Sequence, residues 1–103
     1  MKLELDVASE PFNGGHVVLK LAKSIFSMGR EELVELKRVL DSVIAVESKK
    51  FSPEGFNILI LEKEVHVIPR WCGDVNVAFF GGMKIVPLSR EDVKEQVVKE
   101  VRL

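Results

Sequence analysis

The residues best suited to chemistry lie on one short stretch, where Glu62, Glu64 and His66 alternate. Alternate residues of a strand face the same way. Two carboxylates and an imidazole on one face could bind a divalent metal such as zinc or manganese. Glu62 falls where the chain is expected to turn, and exposed carboxylates often cluster by chance, so no metal is expected. His66 reads first as a satisfied structural histidine and second as a ligand contact or a donor to Glu64. His16, at the start of another strand, also reads first as structural. Cys72 has no inferable cationic neighbour or helix terminus and reads as an inert thiol. Trp71 and Phe79-Phe80 read as packing residues, with Trp71-Cys72-Gly73-Asp74 a candidate partner surface. The sequence carries no glycine-rich nucleotide fingerprint, Walker motif or zinc spacing.

Several elements must position these side chains. Leu3 to Val7 alternates with period two and predicts a strand. Ser9 to Gly15 holds Pro11, Asn13, Gly14 and Gly15 and predicts a turn. His16 to Leu21 predicts a second strand. Leu33, Leu36, Leu40, Val43 and Ile44 recur at helical spacing, so a helix is expected from about Arg30 to Glu47, capped by Ser27 or Gly29. Ser52 to Gly55 is a turn. Phe56 to Leu61 and Glu64 to Ile68 predict a hairpin turning at Glu62-Lys63, with Leu61 opposite Glu64, Leu59 opposite His66 and Asn57 opposite Ile68. Phe56, Ile58, Ile60, Val65 and Val67 would share one face. Glu-Lys is a poor two-residue turn, because neither residue favours a positive φ, and a slightly longer loop fits as well. Arg70 to Gly82 reads as irregular and Met83 to Pro87 as a short strand. A last helix over 89–101 would start at the Ser89-Arg90-Glu91-Asp92 capping pattern and bury Val93, Val97 and Val101. The class is α+β, read as a single domain over 1–103.

Composition narrows the setting. The 103 residues are 47% hydrophobic with a formal net charge of −1, which fits a folded chain and gives no electrostatic case for nucleic acid or a membrane surface. No apolar run approaches the ~20 residues of a membrane span. One cysteine and an acidic amino-terminal segment point to a reducing, cytoplasmic setting. The absence of Thr and Tyr, with much Val, Lys and Glu, resembles thermophile composition.

Five segments, in order, resemble the histidine-triad family. They are Asn13-Gly14-Gly15-His16-Val17-Val18, Glu31-Glu32-Leu33, Gly55-Phe56-Asn57-Ile58, Val65 to Asn76, and Lys84-Ile85-Val86-Pro87. The likeness is to the dinucleoside-polyphosphate branch and covers nearly the whole chain. It implies an antiparallel sheet of about five strands with one long central helix and a C-terminal helix. It also implies a homodimer, with a purine nucleotide as candidate ligand. In active members three histidines alternate on one strand, and the middle one attacks the α-phosphorus. His66-Val67-Ile68-Pro69-Arg70 sets the register, so His66 takes the third position, Glu64 the second and Glu62 the first. By the same resemblance His16 and Asn57 are ligand-binding candidates with Glu64 and His66. Taken alone, Asn57 equally suits a backbone hydrogen bond near a strand edge.

Two departures bear on activity. A carboxylate at the nucleophile position meets a phosphate as another anion, which disfavours binding and attack. Leu61-Glu62-Lys63-Glu64 also leaves no room for the loop whose backbone amides hold phosphate in active members. The expectation is a catalytically degenerate binding or scaffold domain with residual nucleotide binding, without catalytic residues or a cofactor. The alternative is a nucleotide hydrolase or transferase with altered, metal-assisted chemistry.

Overall fold

The computed structural model describes residues 2–9, 11, 13–72 and 89–103. β1 (Leu3–Val7) pairs with β2 (Val17–Leu21). β3 (Gly55–Ile60) pairs with β4 (Glu64–Arg70) in a hairpin. The two pairs join through β2 and β4, giving the antiparallel order β1-β2-β4-β3. The expected fifth strand, Met83 to Pro87, lies outside the described residues, as does most of the irregular segment before it.

The inward alternation of Leu5 and Val7, Val17, Leu19 and Leu21, and Val65 and Val67 builds one apolar sheet face. Against it packs α1 (Arg30–Phe51), which buries Leu36, Val39, Val43 and Glu47. The helix runs four residues beyond the expected end at Glu47. Its buried stripe is also turned relative to expectation, with Val39 fully inside and Leu33 43% exposed. Gly29 is the cap, its N–H donating to Glu32 Oε1 at 3.2 Å. Ser52 stops the helix in the left-handed region (φ 49°), directly before Pro53. Trp71 Nε1 donates to the Phe51 carbonyl at 3.1 Å, satisfying one of the orphan acceptors of the last turn. Trp71 is thus a packing and capping residue.

The hairpin register is the expected one, with Asn57 opposite Ile68 and Leu59 opposite His66. Its weak turn is braced from outside. Leu61 N–H donates to the Glu64 carbonyl, Leu21 N–H to that of Lys63 and Ile25 N–H to that of Glu62, all within 2.8–2.9 Å. Ile25 begins the short 3-10 turn Ile25–Ser27. Burial is lopsided across the hairpin. Val65 and Val67 of β4 are fully buried, whereas Ile58 and Ile60 of β3 are 40% and 56% exposed. The shared apolar face is therefore only half covered.

The last helix, α2 (Arg90–Val93), begins where Ser89 Oγ accepts from Asp92 N–H at 3.0 Å. It widens into a π-helical turn over Lys94–Val98. A strict four-residue stripe drifts about 40° per step around an α-helix, and the wider turn absorbs that drift. Val93, Val97 and Val101 are all buried as expected. Both helices cover the same sheet face, a two-layer α+β arrangement. Among the described residues no helix is long and apolar enough to cross a membrane.

Candidate functional site

Because Val65 and Val67 point into the core, Glu64 and His66 point to the other sheet face. There His66 lies opposite Val18 on β2. His16 precedes β2 by one residue and shares the face of Val18. The two imidazoles meet, with His16 Nε2 2.8 Å from His66 Nδ1, ring centroids 5.0 Å apart and planes tilted by 51°. One nitrogen must donate and the other accept, so a single proton sits between the rings. His66 Nε2 is 3.9 Å from Glu64 Oε2, an ion-pair distance rather than a hydrogen bond. A carboxylate beside Nε2 favours the tautomer protonated there. Nδ1 of His66 is then the acceptor, and His16 the donor.

His16 is held in place by the turn before it. Asn13 Oδ1 accepts from Gly14 N–H at 3.0 Å, and Asn13 Nδ2 donates to the Pro69 carbonyl at 3.2 Å. His16 itself donates from its N–H to Asn13 O, and its carbonyl accepts from Ala8 N–H. Gly15 has φ +85°, and a Cβ there would lie 2.8 Å from Pro69 Cγ and 3.0 Å from Glu47 Oε2. Only glycine suits both the backbone angle and the space.

Glu47 was not among the expected site residues. It is fully buried, and among the described residues neither carboxyl oxygen has a hydrogen-bond partner. Burial pushes its pKa up to about 9, so the group is a neutral acid at ordinary pH. The sequence signal was its place four residues beyond Val43 on the buried helix stripe.

The remaining candidates separate. Glu62 sits in the hairpin turn, before β4 begins, so the expected alternation survives only for Glu64 and His66. Asn57 is exposed on β3, and its Oδ1 accepts from Arg70 Nη1 at 2.5 Å. Cys72 is exposed. Among the described residues no group of three or more His, Cys, Asp or Glu side chains is arranged to hold a metal. Beside His66 opens a cleft of about 170 Å³, lined by Asp6, Val7, Ala8, Ser9, Val18, Lys20, Glu64 and His66. Asp6, Ser9 and Lys20 were missed by the sequence reading. The outward alternation of β1 and β2 was the signal for Asp6 and Lys20.

The fold, with His66 paired to a second histidine just before the adjacent strand, is a histidine-triad-like fold. Among curated proteins the chain is similar to the AP-4-A phosphorylase of two Mycobacterium tuberculosis strains, CDC 1551 / Oshkosh and ATCC 25618 / H37Rv. Identity to each is 28% over 105 residues, spanning 87% of this chain. The chain spans about half the length of these relatives, 54%. No family model matches the sequence. Among solved structures, a hypothetical histidine triad nucleotide-binding protein from Sulfolobus tokodaii strain 7 matches with a TM-score of 0.65 at 20% identity, over 95% of this chain and 74% of that one. A Hit-like protein from Bartonella henselae, involved in cell-cycle regulation, matches with a TM-score of 0.66 at 16% identity, over 94% and 76%. A zinc-bound histidine triad family protein from Mycobacterium smegmatis matches with a TM-score of 0.65 at 17% identity, over 91% and 73%. At these identities the solved structures establish the fold.

Proposed function

We propose that this chain is a catalytically degenerate histidine-triad-like protein that binds a nucleotide-type ligand without turning it over, and that it works as a homodimer in the cytoplasm. The observation that carries this reading is Glu64, the strand neighbour of His66 at the position of the family's attacking histidine. Its carboxylate would have to approach a phosphate as a second anion, and its cross-strand neighbour Lys20 is the one cation among the described side chains lining the cleft. The braced turn at Leu61–Glu64 supports the same reading, since its three hydrogen bonds occupy the place where a phosphate-holding loop would enter. The His16–His66 pair and the adjoining cleft support retained binding. The names of the relatives, a phosphorylase and a nucleotide-binding protein, favour a nucleotide as the ligand class.

The dimer rests on β3. Among the described residues it ends the sheet, and Ile58, Leu59 and Ile60 on it, with Leu61 just beyond, are 40–56% exposed. An apolar edge is a template for pairing with another strand, and a second β3 would cover it.

The decisive assay incubates the protein with diadenosine tetraphosphate and inorganic phosphate, with and without added divalent metal, and separates the products by chromatography. No product is expected. Turnover that Glu64→Gln abolishes would establish the alternative, an enzyme with altered and metal-assisted chemistry using Glu64 and His66.

A further inference from the structure

We infer that Glu47 is the positioning residue for His16 and a proton-operated lock on it: its neutral carboxyl lets the Gly14-Gly15 turn close over α1 and hold His16 against His66, and loss of the proton opens the turn and parts the two rings. The inference concerns the histidine pair itself and holds whether or not the cleft takes a ligand. The placement of Glu47 carries it. The side chain is fully buried, and among the described residues neither oxygen has a hydrogen-bond partner. A Cβ at Gly15 would lie 3.0 Å from Glu47 Oε2, 2.8 Å from Pro69 Cγ and 3.3 Å from Phe51 Cδ2. The acid is thus enclosed by the turn, the end of β4 and the last turn of α1. The charged or titratable groups next in the chain to those contacts are His16, Arg70 and Lys50. None of them bonds to either oxygen, and the raised pKa of Glu47 arises from burial. A carboxylate left here would be an unpaired charge out of water. Proteins escape that state by neutralising the group or by admitting water to it.

Of the three walls, the turn is the one that yields. The last turn of α1 is tied down by the Trp71 bond to the Phe51 carbonyl and by the fully buried Val43 one turn earlier. Pro69 belongs to a strand and lies opposite Phe56 in the hairpin. The turn instead presents two successive glycines, and glycine gives a backbone its widest freedom. Gly15 shows the acid backbone alone. The bonds from Asn13 Nδ2 to the Pro69 carbonyl and from His16 N–H to the Asn13 carbonyl are long, at 3.2 and 3.3 Å. His16 directly follows Gly15, so a displaced turn carries its ring away. The 2.8 Å contact between His16 Nε2 and His66 Nδ1 is broken by a shift of about 1 Å.

The test follows the full chain by carbon-detected NMR from about pH 5 to about pH 10. The Glu47 carboxyl carbon reports its own ionisation. The ring-nitrogen shifts of His16 and His66, read through carbon-bound ring protons, report the hydrogen bond between them. Glu47 should ionise above the ordinary carboxylate range, with a midpoint at or below about 9. The His16–His66 bond should be lost with that same midpoint, while far-ultraviolet circular dichroism stays native. An open turn lets the group ionise near 4.5, so each pH unit above that value reads a tenfold preference for the closed turn. Glu47→Gln has the shape of the neutral acid and should keep the bond to the top of the range. Glu47→Met, which also cannot ionise, should do the same and guards against an amide that disturbs folding. A bond that outlasts the ionisation of Glu47 overturns the inference, as does a carboxyl that never ionises in the range. So does an alkaline loss of the bond that either variant retains, or one that coincides with global unfolding.

Discussion

The Glu47 carboxyl is out of water near the end of α1, with the Gly15 turn beside it. Unfolded, it ionises in the ordinary carboxylate range near 4.5, whereas folded it keeps its proton up to about 9. Between those values the folded state binds the extra proton. Its stabilising contribution is therefore full only below the unfolded value and is lost progressively as pH rises through the folded one. Each pK unit is worth about 1.4 kcal/mol, so the loss across the window amounts to a few kcal/mol. Glu47→Gln should flatten this slope and be the more stable protein at about pH 8, as read from urea melts between about pH 5 and pH 9. Parallel curves for the two proteins would remove the neutral-acid assignment. Gly15→Ala should cost about 2 kcal/mol or more, because it combines a left-handed φ with a contact no side chain tolerates. It should also shift the ring resonances of His16 and His66. Glu64 and His66 were legible in the sequence because His66-Val67-Ile68-Pro69-Arg70 fixed their register, and His16 because it stands in the Asn13-Gly14-Gly15-His16-Val17-Val18 run. Glu47 was not, because a helical glutamate is ordinarily solvated and only tertiary packing drew it inside.

At the scale of elements, period-two alternation specified the hairpin register residue by residue, since a one-residue slip would turn every side chain over. Alternation does not specify which strand lies at the edge. Nothing in Phe56 to Leu61 distinguished a central strand from an outer one, so the exposure of Ile58 and Ile60 emerged only with the strand order. The α1 stripe was misjudged for a related reason. Leu33 and Val39 both fit helical spacing, and only the packing of the helix on the sheet decides which is covered. If β3 pairs with a second copy, Ile60→Lys should convert dimer to monomer in sedimentation velocity, by placing a charge on the apolar edge. A monomeric wild-type protein at micromolar concentration would rule the dimer out. Within α2 and its π-helical extension, Val97→Ala should lower stability by roughly 1–3 kcal/mol through the cavity left at a fully buried site, measured by thermal melting.

For the whole molecule, the α+β class followed from pattern alone, whereas the placement of both helices on one sheet face and the cleft did not. Its walls come from β1, β2 and β4, and no local pattern announces a concavity shared among strands. The β2–β4 pairing that creates it also divides the sheet. β1–β2 and β3–β4 are each contiguous hairpins whose described strands pair with one another along that line, and the His16–His66 hydrogen bond crosses it between residues fifty positions apart. The two halves can each form from local contacts, but their union must wait for the intervening helix to be in place. The junction is accordingly expected to form after the two hairpins. A ligand seated in the cleft touches both halves and acts as a rivet. Amide exchange at Leu19 and Val65, which face each other across the junction, should slow when the cleft is filled, by more than exchange at Leu3 or Ile58.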